Sequence, residues 1–473
     1  MVNIISIISK YLILIFMGLY VWKCFSYFTA HTAAKRKSNL NHQIVYIFII
    51  HALCHVCMYF NTMNKDIVLY YLVEILIAIL YILIFHEVYK EASRLITNNI
   101  AFLMLIGYTI LFRLSPALAR KQFILATVAL VITSFLPAVM KRLPKLKEWG
   151  VGYAIAGIAF LLMVFLPHVG VEVNGSRNWI NLFGLGIQPM EIVKILFILF
   201  IASSLVKLET VKELFINAIV AAVFCLILVA EKDFGAMFIF YVCYVLMVYL
   251  ATSRTTILIL GIGLIVGGVF GMYALFKDTS FFSHILVRVE AWKDPFKFQS
   301  TGGYQVCESL FAIGTGGLTG TGLGKGMPYL IPVAESDFIF AAICEEMGVI
   351  FGLALLLIYV SSFIAIINIA MRCKEPFYKY MTFGMAMCYI IQVFLNVGGT
   401  VKFIPSTGVT LPLVSYGLSS VFSTLIMFSM IQYTYILVSK EASEAEDEKE
   451  SILQYYERKA AEKAGGVPGE GEY

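Results

Sequence analysis

Apolar residues run along this chain in long unbroken blocks separated by short polar stretches, with no alternating strand pattern of any length. Blocks long enough to cross a bilayer, about 17–25 residues with their flanks, fall at 4–22, 44–60, 67–85, 100–114, 123–140, 151–166, 189–205, 214–230, 234–250, 257–276, 349–370, 381–397 and 411–437. The pattern predicts about thirteen membrane-spanning helices. One hydrophilic interval is long, 277–337, and it is Gly-rich around 314–326. Polar connections of that length in a packed protein tend to carry function.

Composition fits this reading. Of 473 residues, 60% are hydrophobic and 14% charged, against roughly a quarter charged in soluble chains. A water-soluble globule is excluded. The net charge of +5 does not point to nucleic acid, because the basic residues sit in short connections between apolar blocks.

The distribution of Lys and Arg orients the bundle. With Lys35, Arg36 and Lys37 in the cytoplasm, strict alternation also places Lys90, Arg94, Lys141, Arg142, Arg254, Arg372 and the tail from Lys440 there. Arg113, Arg120 and Lys121 are the exception and fall outside. The expectation is a multi-pass protein of the bacterial inner membrane with its N-terminus outside and its C-terminus cytoplasmic. The first block lacks a small-residue cleavage site and reads as a membrane helix rather than a signal peptide.

The nine cysteines lie almost entirely within apolar blocks and read as small hydrophobes. Cys54 and Cys57 form a Cys-x-x-Cys with His51 and His55 nearby, but no second ligand pair accompanies them. The expectation is that these four residues bind no metal.

Four segments bring polar groups to the outer boundary. The first, 167–188, carries Arg177 and leads into Gln188, Glu191 and Lys194. Glu191 and Lys194 are three apart at the start of an apolar helix, so they share a face and can pair. Ionisable groups in such a helix face a wet cavity or one another. The second segment adds Asp233. The third adds Arg288, Asp294, Lys325, Glu335 and Asp337, with Glu345 and Glu346 deeper in the next helix, and the fourth adds Lys402. Cations and carboxylates gathered at a lipid boundary suit an amphiphile with an anionic head group, the cations holding a diphosphate and a carboxylate acting as base. The same patterning would serve a transporter.

Several blocks resemble the SEDS family (shape, elongation, division and sporulation), the RodA/FtsW-type polymerases of lipid II. They are Asn174-Gly175-Ser176-Arg177-Asn178-Trp179-Ile180, Gln188-Pro189-Met190-Glu191-Ile192-Val193-Lys194, Asp233-Phe234-Gly235, and Gly303-Tyr304-Gln305 followed by Ser309-Leu310 and Ala312-Ile313-Gly314. Gly320-Thr321-Gly322-Leu323-Gly324, Ser336-Asp337-Phe338-Ile339-Phe340 with Glu345-Glu346-Met347-Gly348, and Pro405-Ser406-Thr407-Gly408 through Ser415-Tyr416-Gly417 complete the order over roughly residues 100–438.

The resemblance implies an all-α polytopic fold with a ten-helix core (96–438) that includes the extracytoplasmic loop 277–337. Additional helices at 1–95 precede it, and a charged cytoplasmic tail at 439–473, read as a solvated helix, follows. It also implies a glycosyltransferase joining lipid II into glycan strands with inversion, in division or elongation, and a class B penicillin-binding protein as partner. Under this reading Arg177, Arg288, Lys325 and Lys402 are the candidate cations and Asp294, Asp337 and Glu335 the candidate bases. Glu191, Lys194, Asp233, Tyr304, Gln305 and Ser415 complete the substrate-binding set. No cofactor is specified, and a divalent cation would be compatible with the diphosphate.

The chain departs from the family pattern at three places. The family's proposed catalytic aspartate, in an Asp-Pro just before Gly-Tyr-Gln, corresponds to Phe298, and the Asp-Pro found here is Asp294-Pro295, four residues earlier. A usual His is Glu335, and a usual Gly is Leu418. A catalytically silent scaffold of the wall-synthesis machinery and a lipid-precursor transporter are therefore alternatives to the enzyme.

Overall fold

The computed structural model describes residues 2–173, 175–182, 184–276 and 280–465; Asn174 and the first three residues of the interval 277–337 lie outside the described residues. Each apolar block becomes a helix. Three come first: α1 (Val2–Thr29), α2 (Ala33–Thr62) and α3 (Asp66–Leu83), the last running into a π turn. Next are α4 (Arg94–Leu114), α5 (Pro116–Ser134), its short continuation α6 (Leu136–Arg142), α7 (Gly150–Leu162), α8 (Pro189–Val206), α9 (Val211–Ala230), α10 (Phe234–Thr252) and α11 (Thr255–Phe276). Two helices, α12 (Ser280–Lys293) and α13 (Tyr304–Gly316), lie within the long hydrophilic interval. The chain closes with α14 (Ile339–Met347), α15 (Val349–Arg372), α16 (Pro376–Thr400) and α17 (Leu418–Gly465), which carries the charged tail.

Among the described residues, eleven of these helical stretches are long and apolar enough to cross a membrane, and Gly150–Phe165 and Thr255–Gly268 are shorter apolar helices. Helix starts obey local chemistry. Thr210 and Glu213 form a reciprocal capping box at α9, Asp233 caps α10 through its bond from the Ala236 N–H at 2.9 Å, and Pro116, Pro189 and Pro376 occupy first-turn positions.

The structure differs from the sequence reading in three places. The segment read as the loop 167–188 holds an antiparallel sheet of β1 (Gly170–Val173), β2 (Ser176–Leu182) and β3 (Leu185–Ile187), paired in that order with Gly170 opposite Ile180 and Ile180 opposite Ile187. Gly175 and Gly184 take positive φ at its two turns, as tight hairpins require. The long interval is built on α12 and α13. The last apolar block, read as starting at 411, begins its helix only at Leu418, because the preceding residues form a folded loop over the site.

Helix α4 is buried all round and forms the axis of the bundle. The N-terminal helices lie against it and against α15: the Tyr20 hydroxyl donates to Asn99 Oδ1 (2.7 Å), and the Asn99 amide donates to Ser361 and Ser362 (both 2.9 Å). At one end, α1 and α2 hold the glycine loop, Lys10 Nζ reaching the Gly320 carbonyl (2.6 Å) and Asn61 Nδ2 the Leu323 carbonyl (2.7 Å).

That loop runs across the C-terminus of α14. Its Thr321 and Gly322 N–H groups bond the Glu345 and Glu346 carbonyls (both 2.9 Å), satisfying acceptors that a helix end leaves open. Gly320 sits at φ +81°, and a Cβ there would come within 2.3 Å of the Glu346 carbonyl oxygen. Gly320→Ala is expected to destabilise the protein by at least ~1–3 kcal/mol through left-handed strain plus this collision, read as a lowered midpoint in thermal unfolding of the detergent-solubilised chain.

Candidate active site

Where β2 and the starts of α8 and α10 meet the loops before α14 and α17, they enclose a cavity of about 400 Å³. Its walls include Lys121, Asn178, Gln188, Arg288, Glu335, Asp337, Thr410 and Tyr416. Of the residues singled out from sequence, Arg288, Glu335 and Asp337 line it directly.

Asp337 is held by its main chain. Its carbonyl accepts from Asn396 Nδ2 (3.0 Å) and Thr400 Oγ1 (3.3 Å), so α16 fixes its position. On the other side, the Tyr416 N–H bonds the Glu335 carbonyl (2.7 Å) and the Ser415 hydroxyl donates to the Ser336 carbonyl. Gly408 lies directly behind the Asp337 carboxylate. Burial raises the Asp337 pKa above the usual carboxylate range, the Ser336 hydroxyl and the Arg288 guanidinium pull it back, and Glu335 and Asp233 push it up again. A carboxylate poised this way is a stronger base than a free one.

Asp233 sits beside the cavity, its second oxygen accepting from Asn178 Nδ2 at 2.8 Å. Its pKa is also raised, chiefly by burial. Next to it Glu231 is buried, neither carboxylate oxygen having a hydrogen-bond partner among the described residues, and burial pushes its pKa up to about 9. The unfolded chain releases this proton near the ordinary carboxylate pKa, whereas the folded one keeps it to about 9, so folding loses stability across that whole interval. Glu231→Gln is expected to raise the melting temperature, with a gap over wild type that widens from pH 5 to pH 9. A gap that is constant with pH would contradict a protonated Glu231.

Beneath the cavity floor a polar network enters the membrane-spanning region. The Thr410 hydroxyl donates to Ser420 (2.8 Å), Gln392 Nε2 bonds the Thr410 carbonyl and Ser420 (both 3.2 Å), and Gln392 Oε1 accepts from Lys194 Nζ (3.0 Å). Lys194 pairs with Glu191, which also accepts from the Ser423 hydroxyl at 2.8 Å. Both charges are fully buried and share this one network.

The other sequence candidates lie elsewhere. Asp294 is exposed, and its carboxylate caps a turn by accepting the Lys297 N–H (3.3 Å). Tyr304 lies with Phe296 and Lys297 around a separate open depression, and Gln305 is exposed on the same helix. Phe298 serves that turn through its carbonyl, which accepts from Thr301 and Gly303. Lys325 lines a different, 180 Å³ cavity with Glu308 and Glu345. Lys402 takes positive φ and offers its carbonyl to Trp292, while Arg177 bonds the Glu231 carbonyl through its N–H. Ser415 is buried as a brace, its hydroxyl accepting from the Leu411 N–H.

Four side chains that line the cavity or brace its closing loop were not picked out as site residues from the sequence. Gln122 clamps the closing loop by bonding the Ser415 carbonyl (3.0 Å) and the Gly417 N–H (2.9 Å), Asn396 and Gln392 brace it from α16, and Lys121 lines the cavity. The signal for Lys121 was its breach of the charge rule. All three exceptional cations have work at this end of the bundle, since Arg113 pairs with the buried Glu346 (2.9 Å) and Arg120 with Asp66 (3.6 Å).

The fold and site define a polytopic all-α membrane protein with a charged cavity at one end of its bundle. Residues 100–438 match the model of the FtsW/RodA/SpoVE family, described as cell cycle proteins. The chain belongs to that family. It is 33% identical over 330 residues to the peptidoglycan glycosyltransferase RodA of Mycobacterium tuberculosis, covering 66% of this chain and 69% of that protein. It is 32% identical over 311 residues to a probable peptidoglycan glycosyltransferase FtsW of Coxiella burnetii, covering 62% and 80%. Among solved structures, one describing the coordination of polymerization and crosslinking by a peptidoglycan synthase complex matches with a TM-score of 0.63 at 22% identity, over 74% of this chain and 98% of that one. The rod-shape-determining protein RodA of Thermus thermophilus matches at 0.54 and 22%, over 73% and 96%. These two establish the fold. Helices α1–α3 lie ahead of the matched segment.

Proposed function

We propose that this protein is a peptidoglycan glycosyltransferase that polymerises lipid II, with Asp337 as its base. The observation that carries this reading is the Asp337 carboxylate, positioned by α16 and the closing loop in a 400 Å³ cavity that also presents Arg288 and Lys121. Family membership supplies the reaction class.

In this reaction the acceptor sugar's 4-hydroxyl attacks the donor's anomeric carbon. The new C–O bond forms as the bond to the lipid diphosphate breaks with inversion, and the hydroxyl proton passes to Asp337. The diphosphate leaves as a stable anion, so no general acid is needed. Arg288 and Lys121 supply positive charge for it. The cavity lies at the outer membrane face, with the N-terminus outside and the tail cytoplasmic, as the Lys and Arg distribution supports. A class B penicillin-binding protein is the partner that would crosslink the product.

The test is polymerisation of labelled lipid II by the purified full-length chain. Asp294→Asn is expected to keep at least about a third of wild-type activity, because its carboxylate caps an exposed turn. Loss of activity in that variant alone would move the base to Asp294. A second reading, a silent scaffold, is favoured by one residue, Phe298, at the position of the family's aspartate.

A further inference from the structure

Away from this cavity, His51 and His55 on α2 face Glu74 on α3 inside the bundle, and all three side chains are buried. The histidines are one helical turn apart and so lie on one face. Glu74 Oε2 is 3.2 Å from His51 Nε2 and 3.3 Å from His55 Nε2, and the three atoms lie within 4.8 Å of one another.

The outer hydrogen bonds decide what these atoms carry. His55 Nδ1 lies 3.0 Å from the His51 carbonyl, which can only accept, so Nδ1 holds the proton. The Thr109 hydroxyl gives its hydrogen to the Leu105 carbonyl (2.8 Å), so at 3.4 Å it accepts from His51 Nδ1. In both neutral rings Nε2 then carries a lone pair, 3.2 and 3.3 Å from a carboxylate oxygen that is itself an acceptor. None of these three atoms has a hydrogen-bond partner among the described residues. Three lone pairs converge in a membrane interior with no donor between them, an arrangement that calls for a cation.

We propose that His51, His55 and Glu74 bind a divalent first-row transition metal, with zinc as the best fit. Two imidazoles and a carboxylate, each imidazole oriented through its other nitrogen, are the donor set such ions take. Ligands at about 2.1 Å in tetrahedral geometry sit about 3.4 Å apart, close to the 3.2 and 3.3 Å seen here. Tyr108 on α4 also has a buried hydroxyl without a hydrogen-bond partner among the described residues. The Cys-x-x-Cys next to the histidines takes no part: Cys57 Sγ contacts Ser6 and the Leu323 carbonyl, and Cys54 is outside the cluster. The missing ligand was Glu74, from the next helix.

The site lies where the N-terminal helices meet α4. Glu74 is eight residues into α3, about 12 Å from its start, and Asn61 farther along α2 holds the glycine loop. A bound ion would join α2 and α3 below that loop, with Thr109 tying the joint to the matched segment.

Full-length protein in detergent, stripped with chelator, reloaded with Zn(II) and desalted, is measured by elemental mass spectrometry. Wild type is expected to retain about one equivalent per chain, and Cys54→Ser/Cys57→Ser the same. Glu74→Gln, nearly isosteric, is expected to fall below about a tenth of that at the same free zinc, since even an outer-shell loss weakens metal affinity ~10–100-fold. Should Glu74→Gln fail to fold, Thr109→Val, which removes only an outer contact, is expected to weaken zinc binding about tenfold. Wild type without stoichiometric zinc, unchanged retention in the folded Glu74→Gln or, in its place, Thr109→Val, or loss in the cysteine variant would overturn the proposal; the first result would mean that protons alone neutralise the cluster.

Discussion

Asp337→Asn is expected to lower lipid II polymerisation by about 10²–10⁴-fold, the range a general base contributes, while the variant folds as wild type does. The substitution keeps size and removes only the proton-accepting charge. The segment's anchors are main-chain bonds from Asn396, Thr400 and Tyr416 plus the Ser415 brace to the neighbouring carbonyl, and none of them uses the Asp337 carboxylate. The activity defect should therefore appear without a stability defect, as a fall in glycan product from purified protein whose melting temperature is unchanged. The pH profile sharpens the assignment. Burial raises the Asp337 pKa, so the acidic limb of the rate profile should fall above the ordinary carboxylate range near 4. Arg288→Gln, which removes a stabilising cation, should move that limb to still higher pH.

Breaking the buried pair under the cavity should have the largest effect on folding. Lys194→Met leaves the Glu191 carboxylate buried without its cation, and removing one partner of such a pair costs about 3–5 kcal/mol. Against a typical total of about 5–15 kcal/mol, that is a severe loss. Adding Glu191→Gln to Lys194→Met removes the uncompensated charge and is expected to recover at least about half of it. Thermal unfolding of the two single variants and the double variant measures this directly. Strictly additive losses would show that the two charges do not share one network.

The two levels of structure differ in how much of them the sequence carried. The membrane helices were legible because lipid imposes one requirement, about 20 apolar residues, that a linear pattern can meet. The small sheet was missed although Asn174-Gly175 is a hairpin-turn signal, because Arg177-Asn178-Trp179-Ile180 puts two polar and then two apolar residues in a row and so breaks the alternation that marks a strand. Helices α12 and α13 were missed because each is only about fourteen residues long and carries charge, well below the length the apolar blocks set as the standard.

The site was half legible. Charge and boundary position picked out Arg288, Glu335 and Asp337, which converge, but equally Asp294, Lys325 and Lys402, which do not line the cavity. Only the fold separates these sets, since Asp337 is anchored by residues about 60 and 80 positions away. Gln122 and Gln392 were invisible for the same reason: an uncharged amide in an apolar helix acquires its meaning from partners across the bundle. The metal reading illustrates this too, because Cys54 and Cys57 drew attention while Glu74, on a separate helix, completes the donor set.

The central claim is that this chain polymerises lipid II without a carboxylate at position 298. One assay of purified wild type beside Phe298→Asp, with labelled lipid II and the glycan products resolved by length, tests it most directly. The account predicts glycan strands from wild type and a rate for Phe298→Asp within several-fold of it, because Asp337 already supplies the base. Strands from Phe298→Asp with none from wild type would contradict it, and would make the natural protein a silent relative.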